Sequence, residues 1–343
     1  MGSIRSYKLS FILLTIVLIV FFLINLSVGS VAIPLKDVFN ALIGNTIENE
    51  NWSYIIQNYR LPKAFTSILV GSGLGISGLL MQTLFRNPLA GPFVLGISSG
   101  ASLGVAFAIM GASLFSGSMA LALTSKWSLV IAASLGSFLV LLIVMLVSVK
   151  VRDTMAILII GLMFASITAA IVSVLAYFAT AEQLQQYIFW GFGSLGNLSW
   201  NELFVLFVVC SFGILLSIFT IKALNTLLLG ENYAKSLGLN IRRSRMLIII
   251  ATSLLAGTIT AFAGPIAFVG LAIPHMTRQI FNTSNHKLLI PAVFIFGAII
   301  MLICDSIAQL PMSDYTLPIN AITSLIGAPV VIWLLVRKRK MVF

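Results

Sequence analysis

The sequence predicts an all-α, polytopic membrane protein with ten transmembrane helices and both termini in the cytoplasm. Three observations predict it. Of the 343 residues, 59% are hydrophobic and 8% are charged, whereas a soluble domain carries about 25% charged residues. Apolar segments of membrane-crossing length recur along the chain, as a bilayer-spanning bundle requires. Lys and Arg then fall mostly on one side of those segments.

A helix needs about 20 apolar residues to cross the hydrocarbon layer. Ten segments meet or approach that length, at roughly 9–29, 62–82, 93–112, 127–149, 154–179, 201–220, 246–263, 267–281, 288–309 and 319–336. The first exceeds the apolar core of a secretory signal and is followed by no small-residue cleavage site, so it reads as a retained helix. The eighth is short and contains Pro274.

Placing the N-terminus inside puts Arg5, Lys8, Arg86, Lys150, Arg152, Lys222, Lys235, Arg242, Arg243, Arg245, Arg278, Lys287 and Arg337–Lys340 on the cytoplasmic side. Only Lys36, Arg60, Lys63 and Lys126 remain outside. The split is sixteen to four, and inverting the protein would reverse it, against the positive-inside rule. An odd number of spans would mix the two sets. The net charge of +11 therefore reports contact with an anionic inner leaflet and not with nucleic acid. The basic tail Arg337–Lys340 reads as an orientation signal and lipid contact.

No linker divides the chain, so residues 1–343 are expected to form a single transmembrane domain. Three loops exceed a bare turn. Residues 30–61 lie outside and carry Trp52, Tyr54 and Tyr59, which suit a membrane interface. Residues 180–200 also lie outside, and residues 221–245 lie inside. Ala90-Gly91-Pro92 and Ala263-Gly264-Pro265 each precede an apolar segment, on opposite sides of the membrane. Spans 2–5 start outside and spans 7–10 start inside, which suggests an inverted repeat. Small residues crowd two spans, at Gly71, Gly73, Gly75, Ser77 and Gly78, and at Gly96, Ser98, Ser99, Gly100, Ser102 and Gly104. They let helix backbones approach closely, whether for packing or for a movable path wall.

No residue set suggests catalysis. A phosphate loop ending in Gly-Lys-Ser/Thr is absent, so the chain is not expected to bind ATP itself. Cys210 and Cys304 sit in apolar runs without metal-ligand spacing. His275 and His286 lack companions for a metal site. Asp305 is the acid well inside a span, near its outer end. A structural role in accepting hydrogen bonds is favoured there over a role in transport.

In the inner loop, Gly230 and Gly238 are turn positions that bracket a short helix. Tyr233, Ala234 and Leu237 can share one face of it. Apolar side chains on a cytoplasmic helix call for a covering partner or the membrane surface. Outside, Arg60 and Lys63 flank Leu61-Pro62 at the start of span two. They read either as headgroup anchors or as a basic patch for an acidic extracellular partner.

The chain resembles the FecCD-type permeases of ABC importers, which move iron–siderophores, haem or cobalamin. The match is carried by Arg60–Lys63, by Ser77–Gln82 followed by Arg86–Ala90, by Gly96–Ala101, by Leu228–Asn240, by Gly264–Arg278 and by Leu325–Pro329, with support from Trp190–Leu195. Together these reach across most of residues 60–340.

The resemblance implies a permease of the bacterial cytoplasmic membrane that pairs with a second copy or a paralogue, the path running between them. It implies two cytoplasmic ABC ATPase subunits that bind ATP-Mg, and a periplasmic or lipid-anchored substrate-binding protein. No cofactor is expected in this subunit. By carry-over, Gly230, Glu231, Ala234, Leu237 and Gly238 belong to the ATPase-coupling helices. Arg60 and Lys63 match positions that meet acidic residues of the binding protein. Asn87 and Leu89 match the inner constriction, and Thr154 falls at the other inner gate position. Many relatives place a basic residue four positions after the acid matching Asp305; here Gln309 stands there. The implied mechanism is ATP-driven alternating access. The alternative is a secondary carrier driven by an ion gradient, which an inverted repeat would suit equally well.

Overall fold

The computed structural model describes residues 4–45, 49–112, 115, 117–150, 154–311, 313 and 315–336. Among the described residues there are helices and no strands. Arg152 and the basic tail Arg337–Lys340 lie outside them.

In chain order, α1 (Ile4–Ser27) leads to two short helices, α2 (Leu35–Leu42) and α3 (Glu50–Ile55). A π turn at Ile56–Arg60 then runs directly into α4 (Leu61–Leu84). A 3-10 turn at Pro92–Leu95 precedes α5 (Ile97–Gly111). The short α6 (Ser118–Leu123) is followed by the long α7 (Lys126–Lys150) and α8 (Thr154–Phe178). Next come α9 (Ala181–Gly191) and α10 (Trp200–Phe219). Two short helices, α11 (Ile221–Leu227) and α12 (Glu231–Ser236), precede α13 (Ile241–Ala263). The described chain ends with α14 (Val269–Phe281), α15 (His286–Ala308) and α16 (Ile319–Val336).

Each of the ten expected apolar segments meets a helix, but they differ in length. Among the described residues seven are long and apolar enough to cross a bilayer: α1, α3–α4 taken through the π turn, α7, α8, α10, α13 and α15. The apolar helices α5 and α16 are shorter. The 13-residue α14 contains Pro274 and rises only about 20 Å, short of the roughly 30 Å hydrocarbon core. Local chemistry explains several helix starts. Asn240 and Asn285 accept backbone N–H groups of Arg243 and Lys287, and Thr180 forms a reciprocal capping box with Gln183. Pro62 sits in the first turn of α4, where its missing N–H falls next to the π turn.

The chain forms two compact units. The first comprises Met1–Ile76, Ser194–Val208 and Ile266–Val342. In it α15 packs against α1, α14 and α16. Leu26, Ile33, Val38, Ala41, Ile56, Ala64 and Leu302 make one buried cluster. The first half of α4 meets α15 backbone to backbone. A Cβ on Gly71 would lie 2.1 Å from the Gly297 carbonyl oxygen, and a Cβ on Gly297 would lie 2.4 Å from that of Gly71. Beside this crossing, Ser72 Oγ donates to the Phe294 carbonyl at 2.7 Å.

The second unit comprises Ser77–Gly193 and Val209–Pro265. Here α5 packs on α7, α8 and α9, and α13 packs on α5 and α7. Gly100 and Gly136 repeat the close approach, with added Cβ atoms falling 2.4 and 2.0 Å from the facing carbonyl oxygens. Four of the small residues singled out in the sequence, Gly71, Gly75, Gly100 and Gly104, thus sit at helix crossings.

These units do not coincide with the blocks of spans 2–5 and 7–10, because α13 packs with α5 and α7. The local echo is nevertheless visible in the backbone. After each Ala-Gly-Pro stretch the chain enters its helix through a left-handed residue, Gly96 before α5 and Phe268 before α14.

Candidate functional site

Two clusters of the sequence-predicted residues form, one in each unit. The outer cluster lies in the first unit. Arg60 ends the π turn, and its side chain folds back under the loop that follows α1. Its Nη1 donates to the carbonyls of Leu26 at 2.6 Å and Ser27 at 2.9 Å, and its Nη2 donates to the Val31 carbonyl. The residue is 8% exposed. A planar guanidinium brings five N–H donors in a fixed fork to the carbonyls of one bend, against an ammonium's three on a flexible stem. Arg60 therefore holds the outer loop together and is not a free surface charge in this conformation.

Lys63 lies one turn further on. Its Nζ is 3.1 Å from Asp305 Oδ1. The other carboxylate oxygen accepts Nδ2 of Asn25 at 2.9 Å and Nε2 of Gln309 at 2.8 Å. Asn25, Asp305 and Gln309 are all buried, and a buried carboxylate needs such donors. Gln309 spends its amide on Asp305. Lys63 supplies the positive charge to that acid. Asp305 thus has the hydrogen-bonding role favoured in the sequence, with an ion pair added.

The inner cluster lies in the second unit. Residues 221–240 hold α11 and α12, and α13 takes over at Ile241; α12 is the short helix expected between Gly230 and Gly238. Gly230 takes φ +104° between α11 and α12, and Gly238 takes φ +81° after α12. Both values fall where glycine is favoured. Ala234 is fully buried, while Tyr233 and Leu237 are more than half exposed. The shared face expected for these three residues is therefore split: Ala234 anchors α12 inward, and Tyr233 and Leu237 face outward. Glu231 Oε1 lies 3.0 Å from Arg245 Nη2, tying the start of α12 to α13. Arg86, just after α4, donates from Nη2 to the Leu228 carbonyl at 3.4 Å. A cleft of about 640 Å³ is lined by Leu84, Phe85, Arg86, Leu227, Leu229, Gly230, Glu231, Asn232, Tyr233 and Ser236.

In the sequence Arg86 reads as a cytoplasmic charge and as part of the Arg86–Ala90 match, with no role at a site. Its place beside Asn87 in the Arg-Asn-Pro-Leu-Ala stretch was the available signal. Asn87 Oδ1 accepts the Leu89 N–H at 2.9 Å, closing a turn around Pro88 and leaving Leu89 exposed. Thr154 is the first residue of α8. Among the described residues no group of His, Cys, Asp and Glu could hold a metal ion. Cys210 and Cys304 are free and buried.

The chain belongs to the FecCD transport family, whose model matches residues 17–337. It is similar to the vitamin B12 import system permease protein BtuC of Klebsiella pneumoniae, with 35% identity over 95% of this chain and 93% of that one. It is also similar to the hemin transport system permease protein HmuU of Yersinia pestis, with 34% identity over 93% and 94%. A solved metal-chelate type ABC transporter in an inward-facing conformation superposes with a TM-score of 0.83, 31% identity and 95% and 98% coverage.

Proposed function

We propose that the chain is the permease subunit of an ABC importer that carries an iron chelate, haem or cobalamin across the bacterial cytoplasmic membrane. The names of its relatives give vitamin B12, hemin and a metal chelate as cargoes. The observation that carries the reading is the inner cluster. A short helix bears exposed Tyr233 and Leu237 beside an open cleft and is tied to α13 through Glu231 and Arg245. An apolar cytoplasmic surface of that kind suits a protein partner, and the tie gives a partner's movement a route into a long helix.

In this reading two ABC ATPase subunits bind ATP-Mg and dock on the coupling segment that carries Gly230, Glu231, Ala234, Leu237 and Gly238, with Ala234 seating it from within. A second permease copy or a paralogue completes the path. Asn87, Leu89 and Thr154 stand at its inner constriction. A periplasmic or lipid-anchored binding protein delivers cargo to the outer side. There Lys63, partly exposed and paired with Asp305, is the more accessible of the two predicted docking cations, and Arg60 shapes the loop beside it. ATP binding shifts the inward–outward equilibrium only as far as the ATPases grip the two states differently.

Reconstitution with the ATPase and binding protein is the test. Uptake into vesicles is expected to require ATP and to survive an uncoupler. Uptake by the chain alone on a proton or sodium gradient would overturn the proposal. At the outer edge, Lys63→Glu is expected to weaken capture of the binding protein; unchanged affinity would remove that role.

A further inference from the structure

We infer that α2 is an interfacial anchor whose exposed apolar edge is seated in the outer-leaflet lipid. The helix has eight residues and three distinct edges. Val38 and Ala41 are buried in the first unit's core cluster, which is packed on its other side by Leu18, Phe21, Phe22 and Leu23 of α1. Leu35 and Phe39 are 54% and 56% exposed, and Leu42 lies on the same side. Lys36, Asp37 and Asn40 occupy the remaining arc. At 100° per residue, Leu35, Phe39 and Leu42 fall between the buried edge and the polar edge.

A helix divided into protein-facing, apolar and polar arcs fits a place where protein, lipid and water meet. In water alone the middle arc would be a standing cost. Lipid is the occupant chosen because α2 packs on the outer end of α1, a membrane-length helix that leaves Leu9, Ile12, Leu13, Ile16 and Ile19 more than half exposed. The exposed stretch of α1 ends at Val20, Phe21–Ser27 being partly or fully buried, and α2 follows after the short loop 28–34, at the outer boundary of the bilayer that α1 spans. Arg60 fixes the connection, since the three carbonyls it grips belong to the end of α1 and the loop leading to α2. Lys36 on the flanking arc can reach lipid phosphate. Lipid contact at α2 is independent of which cargo the chain carries.

A nitroxide scan tests the anchor. Phe39→Cys and Asn40→Cys are spin-labelled in the full chain and reconstituted in vesicles of phosphatidylcholine and phosphatidylglycerol. Cys210 and Cys304 are 0% and 1% exposed, so the wild-type chain supplies the background. Oxygen, which partitions into lipid, is expected to relax the label at position 39 more than a water-soluble nickel chelate does. The order is expected to reverse at position 40. Leu35→Cys must repeat the result at position 39 and replaces it if that variant does not fold. Nickel relaxation dominating at both apolar positions overturns the inference. So does dipolar broadening between two labelled chains, which would put a second copy on this edge. Loss of oxygen access only when the binding protein is added would place that partner there instead.

Discussion

Lys63 Nζ and Asp305 Oδ1 lie 3.1 Å apart, yet the two side chains are unequally covered, at 20% and 2% exposure. The inequality makes the pair respond differently to loss of either member. Lys63→Met leaves a buried carboxylate with only the Asn25 and Gln309 amides. Asp305→Asn leaves an ammonium that can turn towards water. Thermal unfolding in detergent is expected to show the Lys63 variant destabilised by about 3 kcal/mol and the Asp305 variant by about 1 kcal/mol. Equal losses would mean that the lysine is held as firmly as the acid.

The Arg60 guanidinium divides its donors among three carbonyls. Arg60→Lys keeps the charge but offers no planar fork, so it is expected to cost about 1–3 kcal/mol. Hydrogen exchange should quicken across residues 27–34 in this variant. If the lysine variant matched the wild type in exchange and melting, charge alone would account for the residue.

Glu231 and Arg245 join α12 to α13. Arg245→Gln is expected to leave ATP hydrolysis by the assembled transporter in place while cargo moved per ATP falls roughly tenfold, the size of a modest coupling energy. Simultaneous assay of phosphate release and uptake reads both quantities. A parallel fall in both would assign the pair to assembly.

Tyr233 and Leu237 project from α12 without cover in the single chain. Tyr233→Ala is expected to weaken ATPase binding by about 2 kcal/mol, the level of an interface hot spot. Its thermal stability should stay close to wild type because the side chain is exposed. A titration of purified ATPase onto the permease in nanodiscs measures the first, and a melt measures the second.

Gly71→Ala would drive a methyl group to 2.1 Å from the Gly297 carbonyl oxygen. It is expected to destabilise the chain by about 1–3 kcal/mol. Gly111→Ala is the control, since nothing lies within 4 Å of a Cβ there. The two melting curves should separate, and coincident curves would refute the contact.

Much of this was legible from residue order, because bilayer physics writes long apolar runs and a charge bias into the chain. Ten segments met helices for that reason, and the FecCD resemblance named both clusters. Other features stayed hidden. Residues 30–61 and 180–200 read as loops, although α2, α3 and α9 occupy them; their apolar arcs are too short to stand out. The Thr180–Gln183 capping box was readable in principle. The burial of Arg60 was not, since it depends on the path of a loop whose carbonyls carry no sequence signal. Asn25 and Asp305 meet across 280 positions, and their pairing could not be foreseen from spacing. The split of Tyr233 and Leu237 from Ala234 depended on which side of α12 met the rest of its unit.

The Gly71–Gly297 crossing has a mechanical side. Helices usually mesh side-chain ridges into grooves, which fixes both their separation and their angle. Where bare main chain meets bare main chain, pushing the axes together is blocked by a carbonyl oxygen, while rotation about the point of touch meets the Ser72–Phe294 hydrogen bond and the side chains of Val293 and Met301. Such a joint is stiff along one direction and softer about another, so a tilt of α15 on the first half of α4 costs the Ser72–Phe294 hydrogen bond and a slide of a few side chains, not the unmeshing of a full seam of ridges.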